Sequence, residues 1–218
     1  CPTPLPADND QTTITVTQPE NYKWTSYSLN KTVTVKKRHS DFSWQLNDTY
    51  YVDDVITSIF SKAANNLPTT ITSSDPNIIK EEGNQLKALK AGKATITISQ
   101  NIDRKWTAFT QTKEITILKH NIVATINPDN AVWNQLVTPN PFSATSTHPV
   151  SGQITKIDNF TVTQQNNEHI AKLNNANYNI QTYYTNGDVN FLIKRTEDYK
   201  YNALNQTLTL HVNQSGAT

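Results

Sequence analysis

One stretch is written three times along this chain: an alternating strand, a turn, Lys followed by a large aromatic, a second turn and another alternating strand. The copies are Thr13-Ile14-Thr15-Val16-Thr17-Gln18 leading to Lys23-Trp24, Thr95-Ile96-Thr97-Ile98-Ser99-Gln100 leading to Lys105-Trp106, and Asn190-Phe191-Leu192-Ile193-Lys194 leading to Lys200-Tyr201. In each copy a hydrophobic residue follows the aromatic by three places (Tyr27, Phe109, Leu204). Apolar residues recur at nine and eleven places (Val33 and Val35, Ile115 and Ile117, Leu210 and Val212). A β unit repeated in register along one chain implies an array of similar modules. Alternation with period two implies strands with one face turned inward.

Composition fits thin β cores. Charged residues are 17% of the chain, and 32 Thr and 26 Asn fill the place they leave. Thr suits the outer face of a sheet, so the modest apolar content is enough when only alternate positions are buried. Net charge is +1, with Lys and Arg scattered, so the electrostatic footprint of a nucleic-acid binder is missing. No apolar run of about 18 residues exists that would cross a bilayer as a helix. With one cysteine, Cys1, the modules have no internal disulfide and must hold by packing.

Turn signals divide the chain. Residues 1–10 read as a tether, 11–37 as the closing hairpin of a partial module, 38–119 as a complete module, and 120–214 as a complete module with longer loops, the extra material being placed at Pro139–Pro149 and in the Asn-rich stretch 164–179. Val55–Ala64 is the one place where a short helical turn is expected. Short strands separated by turns are the pattern of a β-sandwich.

Ser73-Ser74-Asp75-Pro76 before a strand, and the closing segment Leu86-x-Ala88-x-x-x-Gly92-x-Ala94-x-Ile96-x-Ile98, resemble the bacterial Ig-like repeats of invasin- and intimin-type surface proteins. The resemblance implies an all-β fold of tandem Ig-like sandwiches. It also implies an extracellular structural or adhesive role in a bacterial stalk, adhesin or filament. Gly187 stands where Gly92 stands, fourteen residues before its aromatic. Both are expected at turns that need positive φ. Trp24, Trp106 and Tyr201 are expected to close the end of the core. Cys1 with the Pro-rich text after it resembles the start of a mature bacterial lipoprotein, which makes Cys1 the candidate lipidation site and implies a lipid anchor.

Catalytic patterns are missing. The five histidines have no ligand spacing, and His39 and His120 read as solvated linker residues. Asp53-Asp54 and Glu81-Glu82 are sequence neighbours that a strand would send to opposite faces. Asp8-Asn9-Asp10 fails as an EF-hand loop for want of Gly at the sixth place and Glu at the twelfth. No Gly-x-Ser-x-Gly elbow, phosphate-binding glycine loop or His-Glu-x-x-His appears, and no cofactor is expected. The candidate partners are protein neighbours in a surface assembly, self included through strand addition to the orphan hairpin. A glycan or host protein is the alternative, with Trp133, Phe142, Tyr183 and Tyr184 as candidate contacts. A third reading is an accessory module of a larger surface enzyme.

Overall fold

A computed structural model of the chain describes residues 10–62, 65 and 67–214. Residues 1–9, with Cys1 and the rest of the tether, fall outside the described residues, while Asp10, assigned to the tether, opens the first strand. Every regular element described is a strand. The first copy forms β1 (Asp10–Gln18) and β2 (Tyr27–Val35). The second forms β3 (Phe42–Trp44), β4 (Thr49–Tyr51), β5 (Val55–Ile56), β6 (Phe60–Lys62), β7 (Thr69–Ser73), β8 (Ile79–Glu82), β9 (Gln85–Ala88), β10 (Gly92–Gln100) and β11 (Phe109–Leu118). The third forms β12 (Val123–Ile126), β13 (Asn130–Val132), β14 (Leu136–Val137), β15 (Phe142–Thr147), β16 (Ile154–Ile157), β17 (Thr161–Gln164), β18 (Ala171–Leu173), β19 (Ile180–Thr182), β20 (Gly187–Arg195) and β21 (Leu204–Asn213). The fold is tandem Ig-like β-sandwiches.

The chain divides into two compact units whose bounds differ from the repeat boundaries. One comprises Cys1–Asp48, Val55–Lys87 and Lys93–Ile115; the other comprises Thr49–Asp54, Ala88–Gly92 and Thr116–Thr218. In the first unit, Ile96, Ile98 and Ile115 are fully buried, together with Ile79 and Leu86. Phe42 stacks on Phe60 at 5.6 Å and tilts against Phe109 at 5.5 Å, with Trp44 edge-on to it at 5.0 Å. Gln100, though buried, donates through Nε2 to Ser40 Oγ at 3.1 Å, so its amide is satisfied as burial requires. Val55–Ala64, expected to contain a helical turn, carries β5 and β6 instead. Val55–Ile56 pairs with Leu86–Lys87, and Phe60–Lys62 with Phe42–Trp44. Cross-strand partners overrode the weak helical preference there.

The second unit is built on the sheet β13-β21-β20-β17, accompanied by β12-β15-β16 and β14-β19-β18. Val189, Phe191, Ile193, Leu210 and Val212 send a row of buried side chains inward from β20 and β21. The two stretches assigned to extra loop hold strands: β15 lies inside Pro139–Pro149, and β18 inside 164–179. Their polar residues make the turns that flank these strands. Asn167 O accepts from the N–H groups of Ile170 and Ala171, and Asn174 O from that of Tyr178. Gly187 adopts φ +149°, and a Cβ there would lie 2.6 Å from Ile170 Cδ1. Gly92 takes φ +153° at the matching place.

Candidate functional site

The repeated turn around each aromatic is the most regular local feature of the molecule. Asp103 Oδ1 accepts from Lys105 N at 2.7 Å and Trp106 N at 2.6 Å; Asp198 Oδ1 accepts from Lys200 N at 2.8 Å and Tyr201 N at 2.7 Å. Asn21 Oδ1 does the same for Lys23 N and Trp24 N, at 2.8 and 2.9 Å. The N–H of each Asx residue donates back to the carbonyl of its aromatic, at 2.9 to 3.1 Å. Asx side chains hold such turns by imitating a backbone acceptor. The motif is therefore Asx-x-Lys-aromatic. Asn21, Asp103 and Asp198 were not singled out from the sequence, although their shared place three residues before the aromatic was there to be read.

Each complete copy adds a backbone clamp. In the first unit Arg38 bridges Trp106 in parallel fashion: Arg38 N donates to Lys105 O at 2.8 Å, and Thr107 N to Arg38 O at 3.0 Å. The Arg38 guanidinium lies 6.0 Å from the Trp106 ring centre. In the second unit His120 bridges Tyr201 in the same way, with His120 N to Lys200 O and Asn202 N to His120 O, both 2.9 Å. Arg38 and His120 are themselves equivalent, each standing just after the closing strand of a copy. The repeated aromatic is thus the place where an incoming segment docks. Trp106 and Tyr201 are half-buried; Trp24 has no such segment among the described residues and is 65% exposed. Its expected role in closing a core is not met.

His120 is buried, not solvated as expected. Its Nε2 lies 2.8 Å from Val52 O, and its ring stacks on Tyr51 at 5.5 Å. His148 pairs through Nε2 with Asp54 Oδ1 at 2.9 Å and lies 5.2 Å from the His120 ring. Lys200 reaches Asp53 Oδ2 at 2.5 Å, and this hydrogen bond raises its pKa above the ordinary lysine value despite partial burial. Asp53 and Asp54 accordingly serve as structural anchors for 49–54 within the second unit. Burial pushes the Asp198 carboxyl up. The N–H of Tyr201, the Arg195 guanidinium at 2.5 Å and the N–H of Lys200 more than offset it, leaving that carboxyl below the usual value.

Of the candidate ligand aromatics, Phe142 is a core residue, edge-on to Phe191 at 5.2 Å. It cannot meet a ligand at the surface. Trp133 and Tyr184 do meet, at 6.2 Å and 74°, whereas Tyr183 is held by its backbone N–H, which donates to Ile170 O at 2.8 Å. Tyr184 is 70% exposed, while the Trp133 indole N–H is buried without a partner. An open groove of about 790 Å³ lies elsewhere in this unit, bordered by Asp158, Phe160, Lys194, Arg195 and Leu204. Among the described residues no three His, Cys, Asp or Glu side chains converge as metal ligands. Among the described residues no helix is long and apolar enough to cross a membrane.

No family model and no curated protein matches the chain. Solved structures similar to it include the protocadherin GammaB4 extracellular domain (TM-score 0.31, 9% identity, 93% of this chain and 37% of that one). The D00-D0 domain of intimin is another (TM-score 0.30, 13% identity, 78% of this chain and 98% of that one). Protocadherin Gamma B2 cadherin domains 3-6 gives TM-score 0.28 at 10% identity, over 96% of this chain and 59% of that one. The chain thus spans a little over a third of the first of these and three fifths of the last. Likeness at this level assigns neither a partner nor an activity.

Proposed function

We propose that this protein is a non-catalytic structural and adhesive element of a bacterial cell surface, a length of stalk, adhesin or filament built from Ig-like modules. Protein neighbours in that assembly are its partners. The observation that supports this reading is the repeated clamp. Arg38 on the Trp106 turn and His120 on the Tyr201 turn replace loose linkers by paired backbone hydrogen bonds. Such an array suits a spacer under tension: extension must shear whole strand pairs, and no reactive side chain is needed.

Pulling single molecules from both ends tests the mechanical part. The second copy, 82 residues between Trp24 and Trp106, should unfold in one cooperative step of about 28 nm. Gradual extension at low force would contradict a tension-bearing role. Protease applied to intact source cells tests location, since peptides of 38–214 should be released without lysis.

A second reading has one specific observation in its favour, the contact of the half-buried Trp133 with the exposed Tyr184. Aromatic pairs with one open face stack on sugar rings or anchor a protein partner. Loss of cell or glycan binding in Tyr184→Ala, with unchanged thermal stability, would favour recognition by this patch over a purely structural role.

A further inference from the structure

The hairpin β1–β2 has two unlike faces. Its register pairs Val16 with Leu29, Gln18 with Tyr27, Ile14 with Lys31 and Thr12 with Val33. One face therefore carries Ile14, Val16, Tyr27, Leu29, Val33 and Val35, each between 37% and 60% exposed. The other carries Gln11, Thr13, Thr15, Thr17, Ser28, Asn30, Thr32 and Thr34. The apolar positions are those of the repeat. Ile96, Ile98, Ile115 and Ile117 are their equivalents in the second copy, and Phe191, Ile193, Leu210 and Val212 in the third; all are 2% exposed or less. Burying these positions is what the alternation is for, and a two-stranded sheet leaves them in water.

The edges match as well. In the second copy β7 runs antiparallel to β10 along Ile96–Gln100, and in the third β17 runs antiparallel to β20 along Phe191–Lys194. Transposed by the repeat, both fall on Ile14–Thr17 of β1. β4 runs parallel to Thr116–Leu118, and β13 parallel to His211–Asn213. Both of these transpose to Thr34, Val35 and Lys36. Trp24 takes the place of Trp106 and Tyr201, which receive the clamping residue. Two copies thus agree on a strand at each edge, on the direction of each strand, on a covering sheet and on a docking point. Among the described residues the first copy has none of these occupied.

We propose that the hairpin is an acceptor for the covering strands of an Ig-like module. One strand lies antiparallel along Ile14–Thr17, one parallel along Thr34–Lys36, and one residue clamps Trp24. The occupant is supplied on the N-terminal side of β1 in the same polypeptide, because that is the chain order in both complete copies. There, 54 residues separate Arg38 from Gly92, and 67 separate His120 from Gly187. The proposal rests on the repeat and is independent of surface location.

Hydrogen exchange followed by mass spectrometry tests it on the 218-residue chain and on a chimera with residues 38–91 of the same chain fused directly ahead of Asp10. In the 218-residue chain, amides 14–17 and 34–36 should exchange freely. In the chimera they should slow by at least about 100-fold, and Val16→Asp should abolish that gain. Unslowed exchange in a chimera whose residues 93–115 stay protected overturns the proposal, as does protection that survives Val16→Asp. If the unmodified chain already protects the hairpin and light scattering gives a dimer, the occupant is a second copy and the proposal fails. Intact mass of the native protein from its source decides independently of whether the chimera folds. The proposal requires some 54 to 67 residues on the N-terminal side of β1, about 45 to 58 more than the nine that precede Asp10 here. A native chain of 24.5 kDa, or a hairpin protected only by a second protein, overturns it.

Discussion

The hairpins β1–β2 and β20–β21 follow the same text, yet Ile14 is half exposed and its counterpart Phe191 is fully buried. Their register is equally long, nine paired residues each. Their turns are held by the same Asx acceptor at nearly the same distances. What separates them is the second layer. Local hydrogen bonding shapes a hairpin, but the free energy of an apolar side chain depends on what covers it.

Truncation gives the widest separation. Phe191→Ala should destabilise the third copy by about 3–5 kcal/mol. Ile14→Ala should stay within about 0.5 kcal/mol in the 218-residue chain. Urea denaturation of both variants measures the difference, and comparable losses would mean that the hairpin face is covered after all.

The glycine before β20 supplies the next effect. Gly187→Ala forces a methyl to within 2.6 Å of Ile170 Cδ1 at φ +149°, and about 2–3 kcal/mol should be lost. Gly152, at φ +70° with nothing within 4 Å, should cost only about 1 kcal/mol as Ala. Thermal melts of the two variants compare crowding plus conformation with conformation alone.

The aromatic turns should differ more modestly. Trp106→Ala, which removes a half-buried ring, should cost about 1–2 kcal/mol, whereas Trp24→Ala should be close to neutral. Equal effects would break the link between clamp and aromatic.

The smallest expected effect is in pH dependence, and the groups behind it lie in the second unit. The folded pKa of Asp198 is depressed, so its contribution is present above the unfolded carboxylate value and disappears as pH falls through the lower folded value. The folded pKa of Lys200 is raised, so its contribution is complete below the unfolded lysine value and is lost as pH rises through the higher folded one. Asp198→Asn should flatten the acid limb of a stability profile, and Asp53→Asn the alkaline limb. Asn21, which has no charge to lose, should impose no acid limb on the first hairpin.

Much of the fold was legible from alternation. Ile96, Ile98, Phe191 and Ile193 announced buried faces, and Gly92 and Gly187 announced turns of positive φ, because both signals are set within a few residues. The reading failed where polar residues build turns inside a sheet, as at Asn167 and Asn174, and where short strands need distant partners, as at Val55–Ile56 and Phe60–Lys62. His120 looked like a linker residue because nothing local reveals Val52 O and Tyr51, which lie some seventy residues earlier. Phe142 and Trp133 looked alike in sequence; only packing put one in the core and left the other beside Tyr184.

The sequence by itself determined the three hairpins, their registers and their Asx turns, since periodicity and a side-chain acceptor three residues away act over one turn of chain. Tertiary structure alone decided which hairpin faces are dry, which aromatics receive a clamping segment and which histidine is buried. Those outcomes depend on segments tens of residues apart meeting in space, and a local pattern carries no record of whether its partner arrives.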